Sequence, residues 1–364
     1  MNCNHYFQFA CRFVLVLLLG LITSKAWAAP FVPARDAQCV AFSPSGKQVA
    51  TAISGLADDS FPPRPHPDVR KCAVIAIWDV ESGKRLQRLE TFGDITKLAF
   101  SPDGSLLGYS RLFYTSEGIA LHEVRLLNVV SGKTIRTLDR CHAFDFSPDS
   151  KSIAVQSRTK GAIYRLDDWS KETLLPLLGG GQAIRFSPGG DILAAVMPVD
   201  GQYAIRLCDP SNGKQISQSR KLSEPFYSLD FSQDGMEIAS GHSGGNIIVW
   251  EVTSLDFHRR LQTGNNAIAR PVFSPDGKFL AGICQGTGDV VFWEAAGSTE
   301  VQRYTFERGT FKTHLFRDPE DLVRPEKDPS RLAFSPTGDI FAVGCYGGML
   351  RRVEGGTEVK RFEN

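Results

Sequence analysis

The sequence predicts an all-β chain folded as a single seven-bladed propeller with four antiparallel strands per blade. Three observations predict it. A five-residue motif recurs seven times, β-rich runs follow every copy, and no helical period of useful length interrupts them. The composition agrees. The chain has 364 residues, with 34 Gly, 20 Pro and 24 Phe, as many short strands and turns require.

The motif copies are Phe42–Gly46 (FSPSG), Phe100–Gly104 (FSPDG), Phe146–Ser150 (FSPDS), Phe186–Gly190 (FSPGG), Phe231–Gly235 (FSQDG), Phe273–Gly277 (FSPDG) and Phe334–Gly338 (FSPTG). The Phe residues are spaced by 58, 46, 40, 45, 42 and 61, so the two long intervals mark insertions rather than a lost unit. Pro presets φ for the second position of a type I turn, and Asp then Gly complete the reversal. Each motif is therefore a tight link between two strands, and its Phe is the last buried side chain of the incoming strand.

A second strand follows each turn, as in Gln48–Ile53 and Glu237–Ser240. A third follows in Ala73–Val80, Glu123–Val129, Ala162–Leu166, Tyr203–Cys208, Asn246–Val252, Asp289–Trp293 and Met349–Val353. Several of these enter a Gly turn (Gly83, Gly132, Gly213) and then a fourth strand such as Arg85–Leu89 or Thr134–Leu138. One such sheet cannot bury both of its faces. Seven arranged radially bury each other's.

Residues 1–28 read as a secretory signal peptide. Arg12 supplies the positive region, Phe13–Ile22 the apolar run, and Ala26-Trp27-Ala28 the small-x-small cleavage pattern. Ten apolar residues fall short of the roughly 20 that span a bilayer, so the mature chain is expected to lack a membrane span and to be periplasmic or extracellular; the alternative is an uncleaved N-terminal anchor. Residues 29–36 form a short lead, and the repeats occupy 37–364. Lys+Arg 41 against Asp+Glu 40 gives a net charge of +1, which removes the electrostatic case for nucleic acid. With 42% hydrophobic and 22% charged residues, the chain is neither wholly disordered nor a polytopic membrane protein. Six cysteines lie beyond residue 28, and their spacing forms no disulfide framework. Cys39 and Cys72 share a repeat and are the one pair worth testing.

The unit formed by the Phe-Ser-Pro-Asp-Gly motif, an apolar run, Ile77-Trp78-Asp79-Val80 and a Ser-Gly-Lys turn resembles the WD-repeat family of propellers. Exported propellers of the TolB-like type share the turn. The spacing and the Trp78-Asp79 pair favour the WD-repeat resemblance. Trp250-Glu251 and Trp293-Glu294 are close variants, and the other units depart further. The family's Gly-His before the first strand is absent; Gly241-His242 follows a second strand instead. The resemblance therefore implies blades held mainly by apolar packing, without the family's His–Asp network in most of them. It also implies a non-catalytic interaction scaffold. The usual blade shared by both chain ends is not evident, so the mode of ring closure stays open.

Strand alternation sorts the connections onto two faces. Tight Ser-Pro and Ser-Gly-Lys turns occupy one. The large insertions, at 55–71, 112–121 and 307–330, occupy the other. Blades 6, 7, 1 and 2 are contiguous in a closed ring, so the insertions form one sector. Connections longer than about 12–15 residues without regular structure are usually functional or disordered. Their aromatics and cations (Phe61, Arg64, His66, Phe113, Tyr114, Phe311, His314, Phe316 and Arg317) are candidate contacts for a protein or peptide partner. The alternative is that these aromatics fold back onto the ring.

No catalytic, metal or cofactor-binding residue is assigned. The six His beyond residue 28 (66, 122, 142, 242, 258 and 314) are scattered with no zinc spacing. No Gly-x-Ser-x-Gly elbow is present, and Gly179–Gly181 opens no helix. A competing function is an exported hydrolase or lyase, or a small-ligand binder, that uses the central channel. It would need acids, His or Arg from several blades at one channel mouth. Three or more convergent ionisable groups at the channel rim would sink the scaffold reading.

Overall fold

A computed structural model describes residues 39–56, 72–115, 117–175, 183–264, 269–284, 289–304, 332–343, 349–353 and 358–361. The chain divides into two units, Met1–Ala34 and Arg35–Asn364, and every described residue belongs to the second. The proposed signal peptide lies outside the described residues, as do most of the insertions at 55–71 and 307–330.

Seven sheets are present, each made of four consecutive strands paired in chain order. The blades run from Cys39–Phe42 to Arg85–Phe92, Asp94–Phe100 to Thr134–Asp139, Cys141–Phe146 to Lys171–Leu175, and Ile184–Phe186 to Gln215–Gln218. The last three run from Phe226–Phe231 to Phe257–Gln262, Ala269–Phe273 to Glu300–Tyr304, and Leu332–Phe334 to Glu358–Arg361. All pairings are antiparallel. The first strand of each blade lines a central channel of about 730 Å³. Fourth strands are the outer edge, and they are polar and exposed, as in Arg85–Phe92.

The core is seven cores, one in each gap between neighbouring blades. Ile75 and Ile77 of blade 1 pack with Phe100 and Leu107 of blade 2, and Phe292 of blade 6 packs with Phe334 and Phe341 of blade 7. Each motif Phe faces the blade before its own: Phe146 joins the core with Leu126 of blade 2, and Phe231 joins the core with Ile205 of blade 4. Between the chain ends, Val40, Val49, Ala76 and Trp78 meet Ala342 and Leu350. Blade 1 and blade 7 are each built from their own stretch of chain. Among the described residues the ends meet by side-chain packing, and no strand is shared between them.

The motif Ser has a role of its own. In all seven copies its hydroxyl accepts the backbone N–H five residues on, at 2.8–3.1 Å. Where Asp stands fourth in the motif, the hydroxyl donates to it, as Ser147 does to Asp149 at 2.6 Å. The turns also touch each other. A Cβ on Gly46 would meet Pro336 of the preceding blade, and the same holds for Gly104 with Pro44 and Gly235 with Pro188. Blade 5 has Gln233 in place of Pro, and Gly277 after it meets nothing within 4 Å.

Two expectations are corrected. Leu112–Leu121 is not an inserted loop. Leu106–Tyr114 and Ala120–Asn128 are longer strands than the repeat requires, paired in register from Leu106 opposite Asn128 to Tyr114 opposite Ala120. The alternating apolar residues there continue the ladder, leaving a short tip. The second is the Cys39–Cys72 pair. Cys39 lies opposite Ala52, Ala52 lies opposite Ile75, and Cys72 is three residues further along that strand. Two strand spacings alone amount to about 9.6 Å, beyond the roughly 7 Å a disulfide tolerates.

Candidate functional site

The residue just before each motif Phe points into the channel. That column reads Ala41, Ala99, Asp145, Arg185, Asp230, Val272 and Ala333. Strand alternation brings the residue three before the Phe to the same wall, adding Lys97, Ser228 and Arg270. The channel is accordingly polar on blades 2–5 and mostly apolar on blades 7 and 1.

Along the polar arc the charges alternate. Lys97 Nζ lies 3.4 Å from Asp145, Arg185 lies 3.5 Å from Asp145, and Arg185 Nε lies 3.7 Å from Asp230. Lys97 also donates to the Phe144 carbonyl and sits 4.8 Å from the Phe144 ring centre. Both carboxylates reach the next blade: Asp145 accepts from Phe186 N at 2.9 Å, and Asp230 from Phe273 N at 2.8 Å. Burial pushes Lys97 down to about 7, with Arg185 adding to the effect and Asp145 opposing it. Burial likewise pushes Asp230 up to about 6, against the pull of Arg185. Channel water softens both effects, since the two side chains keep 13% and 24% of their exposure. Two groups tuned toward neutrality in one cavity occur at functional sites and also in structural ion networks.

The opposite end of the channel is different. His122 and His142 rings meet edge to face at 5.7 Å, and Arg158 lines the same wall. Burial lowers the His122 pKa, and the nearby Arg158 charge lowers it further. His142 stands where the pairing of the first and second strands of blade 3 slips by one residue. Such a bulge re-aims a side chain.

The sequence-based contact candidates divide. Phe61, Arg64, His66, Phe311, His314, Phe316 and Arg317 lie outside the described residues. Phe113 folds back, stacking edge to face on Phe92 at 5.2 Å. Arg111, 1% exposed, holds the hairpin down: it lies 3.7 Å over Phe92 and donates to Glu123 at 2.7 Å and Thr91 at 2.8 Å. Tyr114 and Ile119 stay exposed at the tip. Sequence reading missed the channel charges. A comparison of the repeats column by column carried the signal, because three successive copies place Asp, Arg and Asp where the others have Ala or Val.

The repeat tryptophans show how far each blade follows its pattern. Trp78 Nε1 donates to Thr51 at 2.9 Å, and Trp250 Nε1 to Ser240 at 2.8 Å. Ser240 in turn meets His242 Nε2 at 2.8 Å. His242 belongs to the second strand of blade 5, which continues past Ser240 through Gly241. Trp293 stands over Gly282, which occupies the place of that hydroxyl. Asp79 caps its own turn by accepting from Ser82 N at 2.7 Å.

Seven four-stranded blades around a channel define the protein as a seven-bladed β-propeller. The family described as "WD domain, G-beta repeat" matches residues 217–251, which hold the Trp250–Ser240–His242 chain of hydrogen bonds. That match and the seven-bladed fold together support a WD-repeat β-propeller. No curated protein matches it in sequence. Propellers of this family are commonly protein-interaction scaffolds and generally non-catalytic.

Proposed function

We propose that the protein is an exported, non-catalytic scaffold that meets a protein or peptide partner on the face away from the Ser-Pro turns, in the sector of blades 6, 7, 1 and 2. The asymmetry of the two faces supports this reading. The turn face is occupied by short turns that lean on one another, as Gly46 does on Pro336. The strands that flank 57–71 and 305–331 end on the other face, as does the hairpin that exposes Tyr114 and Ile119. Exposed apolar groups next to cations are typical interface anchors.

The test is cross-linking in the exported fraction, with wild-type protein, a chain shortened across 307–330, and a Tyr114→Ala, Ile119→Asp variant. The reading expects one cross-linked partner, lost from both variants, and a mature N-terminus at Ala29. A partner retained by both variants places recognition elsewhere. An intact N-terminus in the cytoplasmic fraction removes the export.

One observation favours a second reading, a small-ligand binder that uses the channel. Lys97, Asp145, Arg185 and Asp230 come from four blades and converge there. Four convergent ionisable groups exceed the three set out above as sinking the scaffold reading, so this second reading is a direct rival to the first. Their alternating signs cancel, which suits a binding wall better than an acid–base centre.

A further inference from the structure

Among the described residues, Lys97 is the single lysine of the channel lining. It lies on the innermost strand of blade 2, Asp94–Phe100, and 13% of its side chain remains exposed. Its amine donates to the Phe144 carbonyl and, at 3.4 Å, to Asp145 Oδ1, beside the Phe144 ring. These acceptors fix the nitrogen at the cavity wall. Asp145 Oδ1 does not serve Lys97 alone. Arg185 approaches the same oxygen at 3.5 Å.

Two cations therefore compete for one carboxylate oxygen. A guanidinium keeps its proton in a protein, so the lysine is the group that yields. Burial acts in the same direction and pushes Lys97 down to about 7, with Arg185 adding to the effect and Asp145 and Asp230 opposing it. His122, His142, Arg158 and Arg270 line the channel as well. An ordinary lysine titrates near 10.4, so at pH 7 Lys97 holds roughly a thousandfold more neutral amine than an ordinary one. A neutral amine has two hydrogens and one lone pair. The Phe144 carbonyl and Asp145 take the two hydrogens, which leaves the lone pair for a ligand.

We propose that Lys97 is a covalent site at which a small, uncharged aldehyde with an apolar body condenses to an imine. The proposal rests on the second reading above, since it needs a channel that admits a small molecule, and it names the ligand class. The cavity, about 730 Å³, has room for one. The charges beside Lys97 already pair with one another, so a charged ligand gains no free partner from them. Ala41, Val272 and Ala333, from blades 1, 6 and 7, offer the apolar wall that would receive the body of the aldehyde. In the reaction the nitrogen lone pair forms a bond to the carbonyl carbon, and one amine hydrogen passes to the carbonyl oxygen. The resulting hydroxyl then leaves with the second amine hydrogen as water, and the carbon–nitrogen double bond forms. No oxidant or reductant is consumed.

The experiment treats the full chain with limiting benzaldehyde and cyanoborohydride, which reduces an imine to a stable secondary amine, and maps the adducts by peptide mass spectrometry. Mapping separates Lys97 from the α-amino group, another amine that is partly neutral at pH 7. The expected result is modification of Lys97 at least tenfold faster than of the exposed Lys84 and Lys133, with a rate that rises through a midpoint near pH 7. Lys97→Arg keeps a cation beside Asp145 and should lose that adduct alone. Glyoxylate, a charged aldehyde, should favour Lys97 over Lys84 less than benzaldehyde does. Modification of Lys97 no faster than of Lys84, or a midpoint near 10, overturns the proposal, and a stronger preference for glyoxylate overturns the apolar class. Benzyl alcohol, which cannot condense, tests the channel reading separately through the Val272 and Ala333 methyl resonances of the wild-type protein. If it shifts them while benzaldehyde leaves Lys97 unmodified, the covalent site falls and the channel reading stands. If neither compound acts there, both fall.

Discussion

The carboxylate of Asp145, on the innermost strand of blade 3, accepts a hydrogen bond from the backbone N–H of Phe186 in blade 4 at 2.9 Å. Innermost strands are sheet edges, so their channel-side N–H groups have no neighbouring strand to pair with. Asp145 supplies the missing acceptor from the adjacent blade, and Asp230 does the same for Phe273. Asp145→Ala should lower stability by about 1–3 kcal/mol, the usual result of orphaning a buried donor. Asp145→Asn keeps an acceptor and should cost less. Urea denaturation measures the loss. Amide exchange at Phe186 localises it, and unchanged exchange there in Asp145→Ala would show that the bond does not form in solution.

Ser150 occupies the motif's last position, which is Gly in the other six copies, and it sits at φ 58°. That left-handed conformation costs an L residue about 1–2 kcal/mol. The return is a link between blades: Asp103 N donates to Ser150 Oγ at 2.9 Å. Ser150→Ala loses the bond and keeps the strain, whereas Ser150→Gly loses the bond and releases the strain. Ser150→Gly should therefore be the more stable variant by about 1 kcal/mol. Thermal melts of the two decide the order, and a more stable Ser150→Ala would contradict the strain argument.

These two positions show what the sequence reveals and what it hides. Turn chemistry is local, so FSPDG spacing located all seven first-to-second strand links and placed Phe146 and Phe231 in the core. The Trp78-Asp79 pair carried the family resemblance for the same reason. Contacts between blades depend on how the ring brings residues some forty positions apart together, as with Asp145 and Phe186. No periodicity within one repeat reports that. The Leu112–Leu121 extension was misread because repeat length alone does not distinguish an inserted loop from longer strands. Lys97 and Asp145 were passed over because each looks like an ordinary polar residue until the repeats are aligned.

Acid should weaken the turn ring. Ser147 and the backbone N–H of Lys151 hold Asp149 below the usual carboxylate range, and Ser232 with Met236 N does the same for Asp234. A carboxyl with a depressed folded pKa contributes stability above its unfolded value, near 3.9, and loses it as pH falls through the folded value. Both side chains are largely exposed, so each effect is small and the sum is what is seen. Asp230 works in the opposite sense. Burial raises it to about 6, so between pH 4 and 6 the folded state binds the extra proton and stability falls as pH rises. Denaturation midpoints from pH 2 to 7 should show both limbs. Asp149→Asn with Asp234→Asn should flatten the limb below pH 4, and Asp230→Asn the limb between 4 and 6. A limb that persists in its variant belongs to other groups.

The seam between blades 7 and 1 should be where the ring opens first. At every other gap the chain itself continues from one blade to the next, so separation is resisted by connectivity as well as by packing. At the seam, Val40, Val49, Ala76 and Trp78 against Ala342 and Leu350 act without that covalent link. Leu350 is fully buried there. Leu350→Ala should cost about 2–5 kcal/mol through lost burial and the cavity left behind. Ile247→Ala, a comparable truncation in the core between blades 5 and 6, should cost a similar amount. The two variants should differ in where hydrogen exchange rises. Leu350→Ala should speed exchange selectively in Leu332–Phe334, Ile340–Val343 and Cys39–Phe42, because the seam can part without unfolding the other blades. Ile247→Ala should raise exchange across the whole ring, since that gap cannot open without straining its neighbours. Equal, ring-wide acceleration in both variants would mean that packing at the seam holds the ends as firmly as the continuous chain does elsewhere.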